Sequence, residues 1–213
     1  MRHIALSRVL PVALLIALPA PTASAAEADF DPATVSERDA IACLLDAPSY
    51  TGFALAVSGD DGIAAQRRWH RIEGGNPFLA EYALPAPITV AGLATSRIAF
   101  SASGIVAILD LPDPAVVADP EGVANAADAE PLIAAIVAAG EATRAEIEAE
   151  LPFRKFLGER VVSDTVALPT RDESFGTHTR ITRTIANATT HPGKTLYGCS
   201  YRIELIDRDG KPL

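Results

Sequence analysis

The sequence predicts an α+β fold: a mostly antiparallel sheet, built as a meander plus a C-terminal hairpin, with an N-terminal helix and a middle helical segment packed on one face. Two observations predict this fold. Strand-like runs of alternating residues occur before and after a middle stretch whose apolar residues recur at helical spacing. The connections between the strand-like runs are too short to hold crossover helices, so we expect neighbouring strands to pair antiparallel.

The first predicted element is a helix from Ser36 to about Asp46. Ser36 begins a capping box with the acidic residue three positions later, and Thr34 with Glu37 is a competing start. Pro48 marks the end of this helix, because proline lacks the N–H that a helix interior needs. The apolar side of the helix consists of Ile41, Leu44 and Leu45.

Six strand-like runs are predicted next. They cover residues 53–57, 63–73, 78–84, 88–93, 97–102 and 105–109. Turn signals at 58–62 and 74–77 separate the first three runs. Pro85 and Pro87 interrupt the chain between the third and fourth runs, because proline cannot donate to a strand ladder. The run 105–109 is continuously apolar, which is typical of a central strand.

The middle segment follows a linker at 111–114. A short alanine-rich stretch, 115–127, precedes a longer helix that Asp128 caps and Pro152 ends. We expect Gly140 to bend this helix. The residues at helical spacing are Leu132, Ile136, Ala139, Thr143, Ile147 and Leu151.

Three strands complete the predicted sheet, at 159–168, 177–190 and 196–206, with a turn at 191–193 before the last of them. The final strand alternates with a period of two, as a strand does when one face is buried and the other is in water. Its predicted buried face consists of Tyr197, Cys199, Tyr201, Ile203 and Leu205.

The two cysteines of the chain, Cys43 and Cys199, are predicted to form a disulfide, because an even number of cysteines in an exported chain is typical of such bonds. The bond would join the N-terminal helix to the last strand. Nearly the whole chain would then lie inside one covalent loop.

Residues 1–25 are predicted to be a secretory signal peptide. Arg2 and Arg8 precede an apolar run at 9–20 that is too short to span a bilayer, and Ala23-Ser24-Ala25 fits a cleavage site. No cysteine follows the cleavage site and residues 1–25 contain no pair of arginines, which argues against a lipoprotein and a twin-arginine signal. We therefore expect residues 26–213 to form a single exported domain, located in the periplasm or secreted.

The net charge excludes some classes of partner. The chain has a formal charge of −9, and cleavage after Ala25 would remove two arginines and no acidic residue, giving −11. A nucleic-acid partner is therefore not expected, because binding to phosphates needs a basic face. No stretch after the leader is apolar for long enough to be an integral membrane segment.

One motif resembles a phosphate loop but is interpreted as a turn. Ala188 and Gly193-Lys194-Thr195 match a relaxed form of the pattern, with alanine in place of the first glycine. A phosphate loop needs a helix after it, whose free N–H groups hold the phosphate, and a strand is predicted here instead. Pro192 also removes one donor. A hairpin turn accounts better for this stretch.

Other catalytic patterns are weak. The histidines after the leader are not at metal-ligand spacing, and neither a metal nor another cofactor is expected. No Gly-x-Ser-x-Gly motif occurs, and a disulfide would remove the cysteines as nucleophiles. Paired carboxylates need no local signature, and Glu81 and Glu159 are the acids to inspect first.

Two basic groups of residues predict a binding surface. One surrounds Trp69 and includes Arg71, and the other follows the strand 177–190, with His178 and Arg180 on one face and Arg183 on the other. If the two groups lie side by side, they would attract an anion. The favoured function is therefore a non-catalytic binding or interaction module for an envelope protein or a small anionic ligand. The alternative is a secreted hydrolase that uses carboxylates in a cleft between sheet and helices.

Overall fold

The computed structural model describes residues 30–73 and 75–213, so the predicted signal peptide lies outside the described residues. Its seven strands form one sheet in the order β1-β2-β3-β4-β7-β6-β5, and every neighbouring pair is antiparallel. The strands are β1 (His70–Ile72), β2 (Ala80–Val90), β3 (Leu93–Phe100), β4 (Gly104–Leu109), β5 (Leu157–Ala167), β6 (Gly176–Ala186) and β7 (Thr195–Ile206). The predicted α+β class and the central position of the run 105–109 are confirmed.

Six α-helices are found in the described residues. They are α1 (Glu37–Ile41), α2 (Ala47–Ala56), α3 (Ile63–Gln66), α4 (Ala115–Glu121), α5 (Glu130–Ala139) and α6 (Arg144–Glu150), and a 3-10 turn at Pro32–Thr34 precedes them. None of the helices in this part of the chain is long and apolar enough to cross a membrane.

The predicted strand at 53–57 is wrong, because this stretch belongs to α2. Asp46 caps α2 by accepting a hydrogen bond from the Ser49 N–H at 2.7 Å, and Pro48 lies in its first turn. A proline is favourable there, since its fixed φ suits a helix start. The buried residues Tyr50, Phe53 and Val57 therefore follow helical spacing, while Leu55 is 78% exposed.

The predicted strand at 63–73 is correct only at residues 70–72. Ile63 and Ala64 are buried in the short helix α3, and the strand β1 begins at His70. Arg67 follows α3 and donates to the Val35 carbonyl at 2.7 Å and to Glu37 at 2.6 Å. These contacts attach α3 to the N-terminal segment, so a continuous strand cannot form.

Two further boundaries differ from the prediction. The strand β2 continues through Pro85 and Pro87, because its register against β3 shifts between Ala83 and Ile88 and leaves both prolines exposed, outside the ladder. The middle helix is not bent but divided. Gly140 has a φ of 71° and ends α5, and Thr143 then forms a capping box with Glu146 that opens α6.

The two faces of the sheet are covered differently. The face that carries Tyr82, Ile105 and Cys199 packs against α1 to α4 and forms the main core, and we call it the helix face. The opposite face, which carries Glu81 and Ala99, is partly covered by the connection between β6 and β7 at 187–194, and we call it the loop face. Helices α1 to α4 therefore cover one face of the sheet, while the β6–β7 connection lies on the other.

The predicted burial of one face of the final strand, β7, is confirmed in part. Tyr197, Cys199 and Tyr201 are buried on the helix face, but Ile203 and Leu205 are 42% and 46% exposed. The reason is that β4 pairs with β7 only as far as Ser200, so the end of β7 projects beyond the core with β5 and β6.

The predicted disulfide between Cys43 and Cys199 is present, and it joins residues 156 positions apart. Cys43 directly follows the end of α1 with a φ of 62°, and its N–H donates to the Ala40 carbonyl while the Leu44 N–H donates to Asp39. This is the hydrogen-bond pattern of a helix C-terminus that turns through a left-handed residue. The turn directs Cys43 onto the centre of the sheet.

We expect reduction of this disulfide to lower the free energy of unfolding by up to about 5 kcal/mol, because the loop that it closes is long. Urea denaturation with and without DTT measures the difference, and mass spectrometry should show the oxidised chain two hydrogens lighter. The double variant Cys43→Ala with Cys199→Ala is the control and should not respond to DTT. Equal midpoints for oxidised and reduced protein would contradict this expectation.

Three tyrosines beside the disulfide should make the fold sensitive to alkaline pH. Burial, followed by the hydrogen bond to Glu121, raises the pKa of Tyr197 to about 12, and burial also raises the pKa values of Tyr50 and Tyr201. Above about pH 10 the unfolded chain ionises its tyrosines while these three stay neutral, so the free energy of unfolding should fall as the pH rises.

The measurement is tyrosinate absorbance during a pH titration of folded and urea-unfolded protein, together with urea denaturation at each pH. The folded protein should titrate later than the unfolded one. Coincident titration curves would show that these hydroxyls are accessible.

Candidate functional site

Arg183 was predicted to bind a ligand, but the structure places it in the core, at 5% exposure on the helix face of β6. Its guanidinium donates to the carbonyls of Ile41 at 2.6 Å, Ala42 at 3.0 Å and Gly198 at 2.9 Å. The first two carbonyls belong to the end of α1, where the helix itself supplies no donor. Arg183 therefore caps α1 from the sheet.

The positive charge of Arg183 is compensated inside the protein. Its guanidinium lies 4.4 Å from the ring centre of Tyr197, and its Nε lies 3.6 Å from a Glu121 oxygen. Burial acts to raise the pKa of Glu121, but hydrogen bonds from Tyr197 and Arg160 and the charge of Arg183 leave it below its usual value. Glu121 therefore stays ionised as the counter-charge of Arg183.

Trp69 is also part of the core, with 7% exposure. Its ring lies 6.0 Å from that of Tyr82 and 6.4 Å from that of Phe100. The cation beside it is Arg67, 5.5 Å from the ring centre. Trp69 is therefore a core residue that packs near Tyr82 and Phe100, and it does not face the solvent.

Arg71 is exposed and borders a cavity at the edge of the sheet. Its guanidinium lies 5.3 Å from the ring centre of Tyr82, and its nearest acidic partner is Glu73 at 3.9 Å. The cavity has a volume of about 340 Å³ and lies between the end of α2 and the start of β2. Its lining includes Ala54, Val57, Phe78, Leu79, Tyr82 and Phe100. We call this space the Arg71 cavity.

His178 and Arg180 lie on the loop face of β6, near the projecting end of the sheet. Both contact Asp164 of β5, His178 at 2.5 Å and Arg180 at 3.0 Å. The hydrogen bond from His178 is the main reason that the pKa of Asp164 lies below its usual value, and Arg180 adds to the effect. These residues form a local ion-pair cluster across two strands.

The combined basic face is not formed. β1 lies at one edge of the sheet and β6 next to the other edge, with four strands between them. At about 4.8 Å between neighbouring strands, the two groups are about 24 Å apart. The sequence shows that both groups are basic, but it does not show the order of the strands, which separates them. Whether Arg71, His178 or Arg180 contacts a ligand stays a prediction.

A second cavity lies on the side of the loop face, with a volume of about 530 Å³. Two segments and Pro112 line it. The segments are the stretch after α6, with Phe153 and Arg154, and the β6–β7 connection, with Thr189, His191 and Lys194. We call this space the His191 cavity. Asn187 holds the two segments together, because its side chain donates to the Arg154 carbonyl and accepts from the Phe156 N–H, both at 2.8 Å.

A buried acid and a buried histidine meet beside this second cavity. His191 Nε2 lies 3.0 Å from Glu81 Oε2, and both side chains are buried. Arg97 donates to the other oxygen of Glu81, from Nε at 2.6 Å. The sequence singled out Glu81 as an acid to inspect and placed His191 only in a turn. It did not predict that the two residues meet, because they are 110 positions apart. Glu159, the other acid noted, is exposed on β5.

The interpretation of residues 188–195 as a turn before the last strand is confirmed. The stretch that resembles a phosphate loop is followed by β7 and joins two paired antiparallel strands. Among residues 30–73 and 75–213, no group of three or more histidine, cysteine or acidic side chains is placed to hold a metal ion.

No protein-family model, curated protein or solved structure matches this chain. Its function is therefore argued from its own geometry.

Two arginines of β6 should differ sharply in their effect on stability. Arg183→Met removes the side-chain donor of three carbonyls, two of them in buried hydrogen bonds, so we expect it to lower the free energy of unfolding by about 3 kcal/mol or more. Arg180→Met is the matched control on the same strand, and it should change that free energy by less than about 1 kcal/mol. Urea denaturation of both variants tests the assignment, and similar losses would show that Arg183 is not a structural residue.

Proposed function

We propose that the protein is an exported binding module, periplasmic or secreted, that holds a small organic anion with an apolar body in the Arg71 cavity. The predicted leader at 1–25 supports export, and the Cys43–Cys199 bond fits an oxidising compartment. Of the five residues predicted to bind, Arg71 is the one that lines the Arg71 cavity. Its cation at this cavity is the observation that carries the proposal.

The lining of the cavity supports this class of ligand. Tyr82, Phe78 and Phe100 offer aromatic surface, and the volume of about 340 Å³ suits a small molecule. The Arg71 guanidinium can donate two parallel hydrogen bonds to a carboxylate or a phosphate. Glu73 is exposed and 3.9 Å away, so an anion could replace it at little cost. An envelope protein was the other predicted partner, and the size of the cavity favours the small ligand.

Trp69 provides a built-in reporter, because it is the only tryptophan of the chain and its ring lies beside Tyr82 and Phe100. We expect titration with benzoate to change its fluorescence in a saturable way, and benzyl alcohol to bind about tenfold more weakly because it lacks the charge. Arg71→Ala should weaken benzoate binding by about tenfold and leave the binding of benzyl alcohol nearly unchanged.

The control is Arg202→Ala, which removes an exposed arginine of β7 far from the cavity. It should bind benzoate as the unmodified protein does. Equal affinity for the anion and the alcohol, or equal losses in the two variants, would exclude the proposal.

A hydrolase is the second candidate function, and one observation favours it. The alternative requires an acid and a histidine that face each other at a cavity, and Glu81 and His191 do so beside the His191 cavity. This pair lies on the loop face and not between the sheet and the helices.

A further inference from the structure

We propose that Thr190, His191 and Glu81 form a hydroxyl–imidazole–carboxylate relay that hydrolyses carboxylic esters with a negatively charged acyl part. The inference rests on the second candidate function and names its nucleophile and its class of substrate. Thr190 Oγ1 lies 3.0 Å from His191 Nδ1, and His191 Nε2 lies 3.0 Å from Glu81 Oε2. The two contacts use the two ring nitrogens, so the imidazole links the hydroxyl to the carboxylate.

The hydrogen-bond partners determine where the proton of the imidazole lies. Arg97 donates to Oε1 of Glu81 and compensates its charge, so the carboxylate acts as an acceptor. The proton of His191 must therefore be on Nε2, which leaves the lone pair of Nδ1 directed at the Thr190 hydroxyl. This is the arrangement in which a histidine acts as the general base for an alcohol nucleophile. Glu81 and Arg97 are positioning residues, because they act through His191.

The burial of the relay suits this role. His191 and Glu81 are buried, whereas Thr190 is exposed. A buried base that is held by a buried acid keeps one orientation, and the exposed hydroxyl stays accessible to a substrate. Thr190 does not itself line the His191 cavity, but the residues on either side of it, Thr189 and His191, both do.

The charges of this cavity indicate the substrate. Arg154 and Lys194 line it and supply two cations. Lys194 contacts the exposed Asp110, and Arg154 lies 3.3 Å from Glu148, so both cations have exposed acidic partners that a substrate carboxylate could replace. An ester whose acyl part carries a carboxylate would place that group on the cations.

The reaction balances without an oxidant or a cofactor. Thr190 Oγ1 forms a bond to the carbonyl carbon while its proton moves to His191 Nδ1. The bond from that carbon to the alcohol oxygen breaks as His191 returns the proton to this oxygen, which leaves an acyl-threonine and a free alcohol. Water then attacks the same carbon and gives a proton to His191, and His191 passes it to Thr190 as the acid is released.

The experiment compares mono(4-nitrophenyl) succinate with 4-nitrophenyl acetate, using the unmodified protein, Thr190→Val and Thr190→Ser. We expect the succinate ester to be hydrolysed with at least about tenfold higher kcat/KM. Thr190→Val should lower that value by at least about a hundredfold, and Thr190→Ser should restore most of it. Thr165→Val, at an exposed threonine of β5, is the matched control and should hydrolyse the ester normally.

Mass spectrometry after an acid quench separates this mechanism from the others. A succinyl group on Thr190 is the expected result. Hydrolysis that persists in Thr190→Val would overturn the nucleophile but not the hydrolase, since His191 could then activate water directly. A succinyl group on lysines alone would overturn the relay, and no hydrolysis above buffer would overturn both it and the second candidate function. None of these outcomes depends on benzoate binding at the Arg71 cavity.

Discussion

The attachment of the end of α1 to the middle of β7 is the constraint on which the rest of the structure depends. Cys43 is bonded there to Cys199, and Arg183, directly opposite Cys199 on β6, donates to the last carbonyls of α1. The covalent bond and the cation act at the same place, so the helix layer cannot slide along the sheet. Because β7 also pairs with both β4 and β6, one contact region aligns the helices with both halves of the sheet.

This arrangement divides the protein into two faces with different chemistry. The helix face is filled by apolar and aromatic side chains, and its cavity lies at the margin, where Arg71 meets Tyr82 and Phe78. The connection between β6 and β7 crosses the loop face and brings His191 onto Glu81. The sheet between them separates the cavity proposed for anion binding from the pair proposed for acid–base chemistry.

The arginines show why burial could not be predicted from composition. Arg180 and Arg183 belong to one strand, yet the first faces water and the second is enclosed by α1 and Tyr197. The alternation of the strand correctly placed them on opposite faces, but which face is covered depends on elements more than a hundred residues away. A cluster of positive charge along the sequence therefore contained both structural and accessible arginines.

The sequence by itself determined the α+β class, most strands of the sheet and the pairing of its two cysteines, because these follow from local periodicity and from the count of cysteines. It did not distinguish the helix α2 from a strand, since an apolar run around Phe53 fits either period over so few residues. Only the tertiary structure decided that the two basic groups stand apart and that Glu81 meets His191. The physical reason is that strand order and loop position are set by the packing of distant segments, which leaves no trace in the spacing of neighbouring residues.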